Sequence, residues 1–309
     1  MAETFQNQIS ANRRNSFLLT LVVVILFALL GFSIGYAITG DVVGALVAMA
    51  IALAVGAMLG AGSFFSGDSL VLAASGAKEV NETSAPQLMN VVREMSLAAN
   101  VPMPKVYVID DTAPNAFATG RDPKHAAIAV TTGLLEKMNR VELEGVVAHE
   151  ISHIRNYDIL ISTLAVTMVG AAALLADMGI RMMWWNGGRV SRSGDRDSRG
   201  NPLALIGFAL LILAPIVARA MQAAISRNRE TLADVSACQL TRYPPGLISA
   251  LEKLQADTTV THSASTATAH LWIEQPMSGV GDNGRLGGLH RMFDTHPPLE
   301  ERIALLREL

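Results

Sequence analysis

The sequence predicts a mostly α-helical membrane protein that also contains an α+β domain with a small β-sheet. Two observations support this fold class. Half of the 309 residues are hydrophobic and only 17% are charged, which is unusual for a soluble enzyme. The hydrophobic residues are also concentrated in long uncharged stretches, and the segments between these stretches alternate between helical and strand patterns.

Composition excludes several function classes. The net charge of −3 gives no electrostatic basis for binding nucleic acid, so we expect no nucleic-acid partner. The single cysteine, Cys238, excludes an intrachain disulfide framework and any multi-cysteine zinc module.

The first two apolar stretches are each long enough to cross a bilayer as a helix. They cover residues 17–38 and 42–62, and neither contains a charged residue. About 20 helical residues span the hydrocarbon core of a membrane. A signal peptide has a shorter apolar core, so we interpret the first stretch as a retained anchor. Residues 1–68 are therefore predicted to form a two-span membrane anchor.

Two later apolar segments, residues 159–176 and 200–218, are shorter and rich in Ala and Gly. If both span, the protein has four transmembrane helices, which is the prediction we make. The loop from Arg181 to Asn201 holds five arginines and two aspartates, and placing it outside the cell opposes the positive-inside rule. The alternative is a hairpin packed at the membrane surface. Residues 159–218 form the predicted second membrane region in either case.

The remaining segments predict a globular domain in two parts, residues 69–158 and 219–309. In the first part, periodicity and turn residues predict helices and strands in the following order: helix Ala85–Ala99, strands Lys105–Asp110, Asn115–Gly120 and Ala126–Thr131, and helix Arg140–Tyr157. In the second part they predict helices Arg227–Leu240 and Pro245–Gln255, and a last helix from Pro298.

The predicted helix at 140–157 contains the segment His149-Glu150-Ile151-Ser152-His153, an H-E-x-x-H motif. Residues i and i+4 project from one face of a helix, so both imidazoles can bind one Zn²⁺. Glu150 follows the first ligand and can act as a general base toward the attacking water. The motif therefore predicts one Zn²⁺ per subunit.

A catalytic zinc ion takes a third protein ligand and keeps one position open. Glu230 and Asp234 again have i and i+4 spacing on a helical pattern. Glu230 can supply a carboxylate oxygen to the metal. Asp234, one turn further on, can accept a hydrogen bond from a ligand histidine and fix its tautomer.

Two further residues are weaker candidates for substrate binding. Asn115, on the predicted edge of the sheet, could bond a substrate backbone that pairs with that edge, or it could be a turn asparagine after Pro114. His296 could donate to the oxyanion of the reaction, or it could be a loop residue before the last helix. The residues alone leave both pairs of alternatives open.

Four segments, AHEISHIRNYD, SRNRETLADVSA, PNAFATGR and DTHPPLEERIALL, resemble the HtpX family of membrane-bound zinc metalloproteases. That family is related to the zinc CAAX prenyl protease, and the resemblance covers most of the chain. It implies a zincin-like catalytic domain in which His149, His153 and Glu230 bind zinc and Glu150 is catalytic. It also implies polypeptide substrates, and a role in protein quality control and the stress response.

The function predicted is therefore a membrane-anchored zinc metalloendopeptidase that hydrolyses peptide bonds in misfolded or damaged membrane proteins. One alternative is a non-catalytic membrane scaffold that contains zinc. Closed structural zinc sites usually have four protein ligands, and the three found here favour catalysis. A small-molecule transporter is a second alternative, which the uncharged spans argue against.

Zinc geometry also predicts the topology. His153 and Glu230 must meet at one ion, so the chain between them crosses the membrane an even number of times. Arg13 and Arg14 before the first span favour a cytosolic N-terminus, and the zinc domain is then cytosolic too. We therefore expect a multi-pass protein of the cytoplasmic (inner) membrane. Ile159 follows His153 so closely that the site should lie near the lipid bilayer.

Overall fold

The computed structural model describes residues 39–163, 227–264, 268, 271–273 and 297–309, together with positions 14, 18, 21, 24, 25, 28, 29, 31–33, 35 and 36. His296 and the arginine-rich loop lie outside the described residues. The chain forms two compact units. The larger consists of Met1–Arg14, Phe65–Val166 and Ile225–Leu309, and the smaller of Asn15–Phe64 and Thr167–Ala224.

The longest described helix is α1, Val42–Ala74, which contains the second predicted span. Its most apolar window has a mean hydropathy of 2.6, and only 6% of that window is buried. Within the described part of the chain, α1 is the one helix long and apolar enough to cross a membrane. The other three predicted spans fall mainly on positions outside the described residues. Four transmembrane helices are therefore not confirmed.

Two glycines of the first apolar stretch lie against α1 within the smaller unit. A Cβ atom built on Gly31 would lie 2.5 Å from the Cβ of Ala52, and one built on Gly35 would lie 2.5 Å from the Cβ of Ala48. Such close approach allows only glycine at these positions. The spacing of the two glycines is the G-x-x-x-G pattern with which apolar helices pack closely.

The larger unit contains a four-stranded mixed sheet. Its strands are β1 (Lys78–Glu79), β2 (Lys105–Ile109), β3 (Ala116–Gly120) and β4 (Ala126–Thr131). Their order is β1-β2-β4-β3, with β2 and β4 parallel and the other two pairs antiparallel. The three predicted strands are confirmed, and β3 lies at one edge of the sheet.

Six α-helices of the larger unit lie wholly within the described residues: α2 (Pro86–Ala99), α3 (Thr132–Lys137), α4 (Arg140–Arg155), α5 (Arg227–Thr241), α6 (Pro244–Ala256) and α7 (Leu299–Leu306). Helix α4 carries the H-E-x-x-H motif and contacts α2, α5 and α6. It ends two residues before the predicted Tyr157, whose φ of 61° is in the left-handed region and interrupts the helix.

The main hydrophobic core lies between these helices and one face of the sheet. On α2 the predicted apolar face is buried: Leu88, Val91, Val92 and Met95. Helix α6 crosses α4 so closely that a Cβ on Gly145 would lie 2.8 Å from the backbone of Leu247. A second cluster covers the other face of the sheet, where Trp272 packs edge-on against Phe117. The core therefore holds α4 rigidly from several sides.

The first residues of the predicted third apolar segment pack within the larger unit. Residues 158–163 are helical, and Ile159 and Ile161 are fully buried. Thr163 accepts a hydrogen bond from the backbone N–H of Gly120 at 3.1 Å, which joins this helix to β3. The chain therefore continues from α4 into the segment 158–163 without leaving the larger unit.

Candidate metal centre

Two packed helices bring three predicted ligands together. The Nε2 atoms of His149 and His153, one turn apart on α4, are 3.1 Å from each other. Glu230 on α5 places Oε2 3.6 Å from Nε2 of His149 and Oε1 3.6 Å from Nε2 of His153. One potential ligand atom from each residue lies within 4.8 Å of the others.

The donor set fits a zinc ion. Two ligands about 2.0–2.2 Å from a tetrahedral Zn²⁺ lie about 3.2–3.6 Å apart. The separations here are 3.1, 3.6 and 3.6 Å, at or close to that range. Imidazole nitrogen and carboxylate oxygen are both ordinary zinc ligands. Among the described residues, His149, His153 and Glu230 form the one such group. A tetrahedral ion bound by three protein atoms keeps its fourth position open.

Each histidine also has a carboxylate behind it. Nδ1 of His149 is 2.9 Å from Oδ1 of Asp234, and Nδ1 of His153 is 3.0 Å from Oδ2 of Asp158. An ionised carboxylate can only accept hydrogen bonds, so each Nδ1 donates its proton to it. When such a ring is neutral, its lone pair therefore lies on Nε2, the atom that faces the other two donors.

Buried arginines accompany both carboxylates. Arg302 on α7 donates from Nε to Oδ2 of Asp234 at 2.8 Å and from Nη2 to Oδ1 at 2.7 Å. Nη1 of Arg229 lies 3.9 Å from Oδ1 of Asp158. Burial raises the pKa of Asp234, but the charge and hydrogen bonds of Arg302 and the bond from His149 outweigh burial and lower the pKa to about 2. Asp234 is therefore ionised at neutral pH.

The imidazoles respond to these negative groups. Burial lowers the pKa of His149, but Asp234 and Glu230 outweigh it and raise the pKa to about 9. Burial likewise lowers the pKa of His153, and Glu230 and Asp158 raise it by more. Without a metal, the two imidazoles therefore tend to hold protons beside the negative carboxylates. A metal ion that binds the ring nitrogens would replace those protons.

Glu150 lies next to His149 on α4 and is 2% exposed. Burial raises the pKa of its carboxyl group, and the charges of His149 and His153 oppose that shift only in part. A carboxylate with a raised pKa is a stronger base, and removal from water makes it more effective at short range. Glu150 is thus suited chemically to move a proton at this centre.

Of the two weaker candidates for substrate binding, the described residues include only Asn115. Asn115 immediately precedes β3 and is 1% exposed. Its Oδ1 accepts from the N–H of Ala116 at 3.1 Å, and its Nδ2 donates to Oγ1 of Thr261 at 3.3 Å. These contacts give Asn115 a structural role within the fold, and its contact with substrate stays a prediction. His296 lies outside the described residues.

Sequence reasoning missed three residues that the fold brings to this centre: Asp158, Arg229 and Arg302. The sequence predicts no role for any of the three. Arg229 and Arg302 are 7% and 3% exposed. A long, strongly charged side chain rarely becomes buried without a partner, but the sequence does not indicate which arginines are buried.

Comparisons with known proteins identify similar peptidases. The pattern of peptidase family M48 matches residues 82–309. A protease HtpX homologue of Streptococcus gordonii is 43% identical over 304 residues, 98% of this chain and 99% of its own length. One from Limosilactobacillus reuteri is 50% identical over 242 residues, 78% of this chain and 79% of its own.

One solved structure is also similar. The crystal structure of S. mikatae Ste24p aligns with a TM-score of 0.49 and 21% sequence identity over 94% of this chain. The alignment spans 64% of the Ste24p chain.

Proposed function

The chain belongs to peptidase family M48, and from that premise we propose that it is a zinc metalloendopeptidase anchored in the cytoplasmic membrane. His149, His153 and Glu230 hold one Zn²⁺, and Glu150 is the general base. The observation that carries this proposal is the convergence of three donor atoms within 4.8 Å, from two imidazoles on α4 and one carboxylate on α5, with the Nδ1 atom of each imidazole against Asp234 or Asp158.

A Zn²⁺ ion held by His149, His153 and Glu230 would supply Lewis acidity toward a water molecule and toward the carbonyl of the scissile peptide. The carboxylate of Glu150 accepts a proton from the attacking water and returns it to the nitrogen of the leaving amine. Asp234 and Asp158 hold the Nδ1 protons of His149 and His153 and so orient the Nε2 lone pairs. Burial of these groups excludes water that would weaken their electrostatic interactions.

We propose a substrate class from the expected position of the site. A helix with the length and hydropathy of a membrane span, α1, belongs in part to the unit that carries the metal centre. We propose that the centre faces the cytosol near the bilayer surface and cleaves cytosolic segments of misfolded or damaged membrane proteins. Arg13 and Arg14 before the first apolar stretch support this orientation.

A non-catalytic zinc scaffold is the second candidate. Closed structural zinc sites take four protein ligands, and the group among the described residues has three. Glu150, buried beside the ligands with a raised pKa, would have no purpose in a scaffold. The metal centre therefore supports catalysis more than structure.

The test compares casein cleavage and zinc content for the full-length wild-type protein and for Glu150→Ala, both purified in detergent. Loss of a general base should reduce cleavage by about 100- to 10,000-fold, while zinc stays bound because Glu150 is not a ligand. The matched control is Glu144→Ala, on the same helix but paired with the exposed Arg140. Full activity of Glu150→Ala would contradict the mechanism, and loss of its zinc would make Glu150 a ligand.

A further inference from the structure

Arg302 is a buried cation on the last helix, α7. Its side chain is 1% exposed, and that of its partner Asp234 is fully buried. The Nε and Nη2 atoms each donate to a different oxygen of the Asp234 carboxylate, at 2.8 and 2.7 Å. This two-point contact fixes the plane of the carboxylate, which a single hydrogen bond would not do.

The fixed carboxylate in turn holds a proposed zinc ligand. Oδ1 of Asp234 accepts from Nη2 of Arg302 and also lies 2.9 Å from Nδ1 of His149. Nη2 of Arg302 approaches Nδ1 of His149 to 3.5 Å, but both atoms are donors and cannot bond each other. Arg302 therefore acts on His149 through Asp234.

The third arm of the same guanidinium reaches the sheet. Nη1 of Arg302 donates to the backbone carbonyl of Ile273 at 3.2 Å. The backbone N–H of Ile273 donates to the carbonyl of Ala116 at 2.9 Å, at the start of the edge strand β3. Trp272, fully buried, packs on Phe117 of the same strand with ring centroids 4.8 Å apart. Residues 271–273 are thus held against the sheet edge from both sides.

We propose that Arg302 is a positioning residue that aligns the metal-binding helix with the edge strand of the sheet. One guanidinium fixes the orientation of His149 through Asp234 and the placement of residues 271–273 against β3. The inference rests on the proposed function, in which His149 is a zinc ligand and the substrate binds beside it. Strand β3 packs against the helix that carries His149. Arg302 then sets the position of β3 relative to the zinc-binding residues, and a shift of β3 would change the space in which the substrate binds.

Only arginine has the geometry for this role. Its planar guanidinium presents donors in a fixed fork, so it can bind both oxygens of Asp234 and the Ile273 carbonyl at once. A lysine ammonium keeps the charge but lacks the fork. The Arg302→Lys variant should therefore keep the charge balance of the buried pair. It should lose the alignment between the His149–Asp234 pair and residues 271–273.

The experiment uses the full-length protein in detergent and the variants Arg302→Lys and Arg302→Gln. Zinc affinity is measured by competition with a chelator, kcat and KM are measured on a peptide at saturating zinc, and thermal stability is measured on the zinc-free protein. Arg307→Gln is the matched control, because Arg307 lies on the same stretch and pairs with Glu252 at the surface. We expect Arg302→Lys to fold, to lose roughly 10-fold or more in zinc affinity, and to show a raised KM.

Two further variants separate the arms of the guanidinium. Asp234→Asn should weaken zinc binding with little change in KM, because Arg302 still bonds the Ile273 carbonyl. If Arg302→Gln fails to fold because Asp234 is left unpaired, the neutral pair Asp234→Asn with Arg302→Gln should fold again. That double variant should retain the weak zinc binding and the raised KM.

Wild-type zinc affinity and KM in Arg302→Lys would overturn the inference. A loss of thermal stability alone, with unchanged zinc affinity and KM in the folded protein, would also overturn it and leave Arg302 a structural residue. Zinc affinity is measured without any cleavage. A wild-type protein that binds zinc but cleaves nothing would therefore contradict the proposed function separately from the role of Arg302.

Discussion

Each histidine of the metal centre uses both of its ring nitrogens, and the carboxylate behind each ring decides which nitrogen is available to a metal. The pairs His149–Asp234 and His153–Asp158 have almost equal lengths, 2.9 and 3.0 Å. Their chemical roles should therefore be similar, although only Asp234 lies on a helix that supplies a ligand.

We predict that Asp158→Asn weakens zinc binding by roughly 10- to 100-fold, as loss of an outer-shell partner usually does. An asparagine amide can still bond Nδ1, but it no longer holds the imidazole proton with a negative charge. Zinc affinity measured by chelator competition tests the prediction. Asp110→Asn is the control, because Asp110 is exposed. Equal affinity of the Asp158 variant and wild type would leave His153 oriented by other groups.

The role of Asp158 could not have been predicted from helical periodicity. Five residues along a continuous helix turn a side chain by about 140° away from the starting face. The structure places the Asp158 carboxylate against His153 because α4 ends at Arg155 and Tyr157 has a φ of 61°. A left-handed residue other than glycine is rare, and no residue pattern here predicts one at a tyrosine. The Glu230–Asp234 pair was predictable because both residues lie on one uninterrupted helix.

Among the elements, α4 has a capped N-terminus that is also bonded to a neighbouring helix. Asn139 and Glu142 form a capping box, in which each side chain accepts a hydrogen bond from the backbone of the other. The Glu142 carboxylate also accepts from Lys253 at 2.6 Å and from Ser249 at 2.7 Å, both on α6. One carboxylate therefore caps the metal-binding helix and joins it to its neighbour.

We predict that Glu142→Gln lowers the free energy of unfolding by about 1–2 kcal/mol at neutral pH, through the weakened cap and charge-assisted bonds. Burial raises the pKa of Glu142, but Lys253, Ser249 and the Asn139 backbone outweigh burial and hold the pKa below its usual value. A lowered pKa means that the stabilisation is complete above the unfolded pKa of about 4.3 and is lost as pH falls through the folded pKa. The difference between variant and wild type should therefore shrink on acidification.

Thermal unfolding in detergent at several pH values measures both effects. Glu144→Gln is the control, since its partner Arg140 is more than half exposed and such pairs contribute little. A gap between Glu142→Gln and wild type that stays constant below pH 4 would show that the Glu142 charge does not stabilise the helix.

The packing of the first apolar stretch on α1 gives a second prediction for an element. Gly35→Leu should lower the thermal midpoint, because a side chain there would collide with Ala48 and with the backbone of Ala45. Overpacking of this kind typically costs about 1–3 kcal/mol. Gly60→Leu is the control, because a Cβ at Gly60 meets no atom within 4 Å. Equal midpoints for the two variants would contradict the close packing.

The elements themselves were largely predictable. Strands β2, β3 and β4 were found because β-branched residues and alanines occur between turn residues, and α2 because its apolar residues recur with helical period. Strand β1 has two residues, too few for any periodic pattern, and it exists only by pairing with β2. The observed ends of α4 and α6 differ from the predicted ends by one or two residues, because terminal turns depend on capping contacts.

For the whole molecule, we predict that the N-terminus and the metal centre both face the cytosol. The background variant is Cys238→Ser, which removes the buried native cysteine. One cysteine is then introduced at a time, as Asp41→Cys before α1 or as Glu82→Cys at an exposed position after it. A membrane-impermeant maleimide should label position 41 from outside intact cells and position 82 only after the cytosol is opened. The reverse pattern would place the metal centre outside.

A third cysteine, at Ser191, decides whether the later apolar segments span. Labelling from outside would support four transmembrane helices. Labelling only from the cytosol would support the surface hairpin. The metal assignment survives either result, because both keep His153 and Glu230 on one side of the membrane.

At the scale of the whole molecule, the sequence did not predict which distant segments contact each other. Arg302 meets Asp234 across 68 residues, and Thr261 meets Asn115 across 146. No local pattern encodes such a pair, and an arginine on an amphipathic helix is usually exposed. The convergence of His149, His153 and Glu230 was an exception, because zinc chemistry itself requires a third donor and Glu230 is the acid with a suitable neighbour at i+4.

The central claim is that His149, His153 and Glu230 bind one zinc ion, and the most direct test is the zinc content of purified full-length Glu230→Gln measured beside Glu300→Gln. Glu300, at the start of α7, accepts a hydrogen bond from the exposed Gln255 at 3.3 Å and lies outside the donor group. We predict about one zinc per chain in wild type and in Glu300→Gln, and a large loss in Glu230→Gln, because an amide is a much poorer zinc ligand than a carboxylate. Equal zinc content and affinity in Glu230→Gln and wild type would contradict the assignment of the centre.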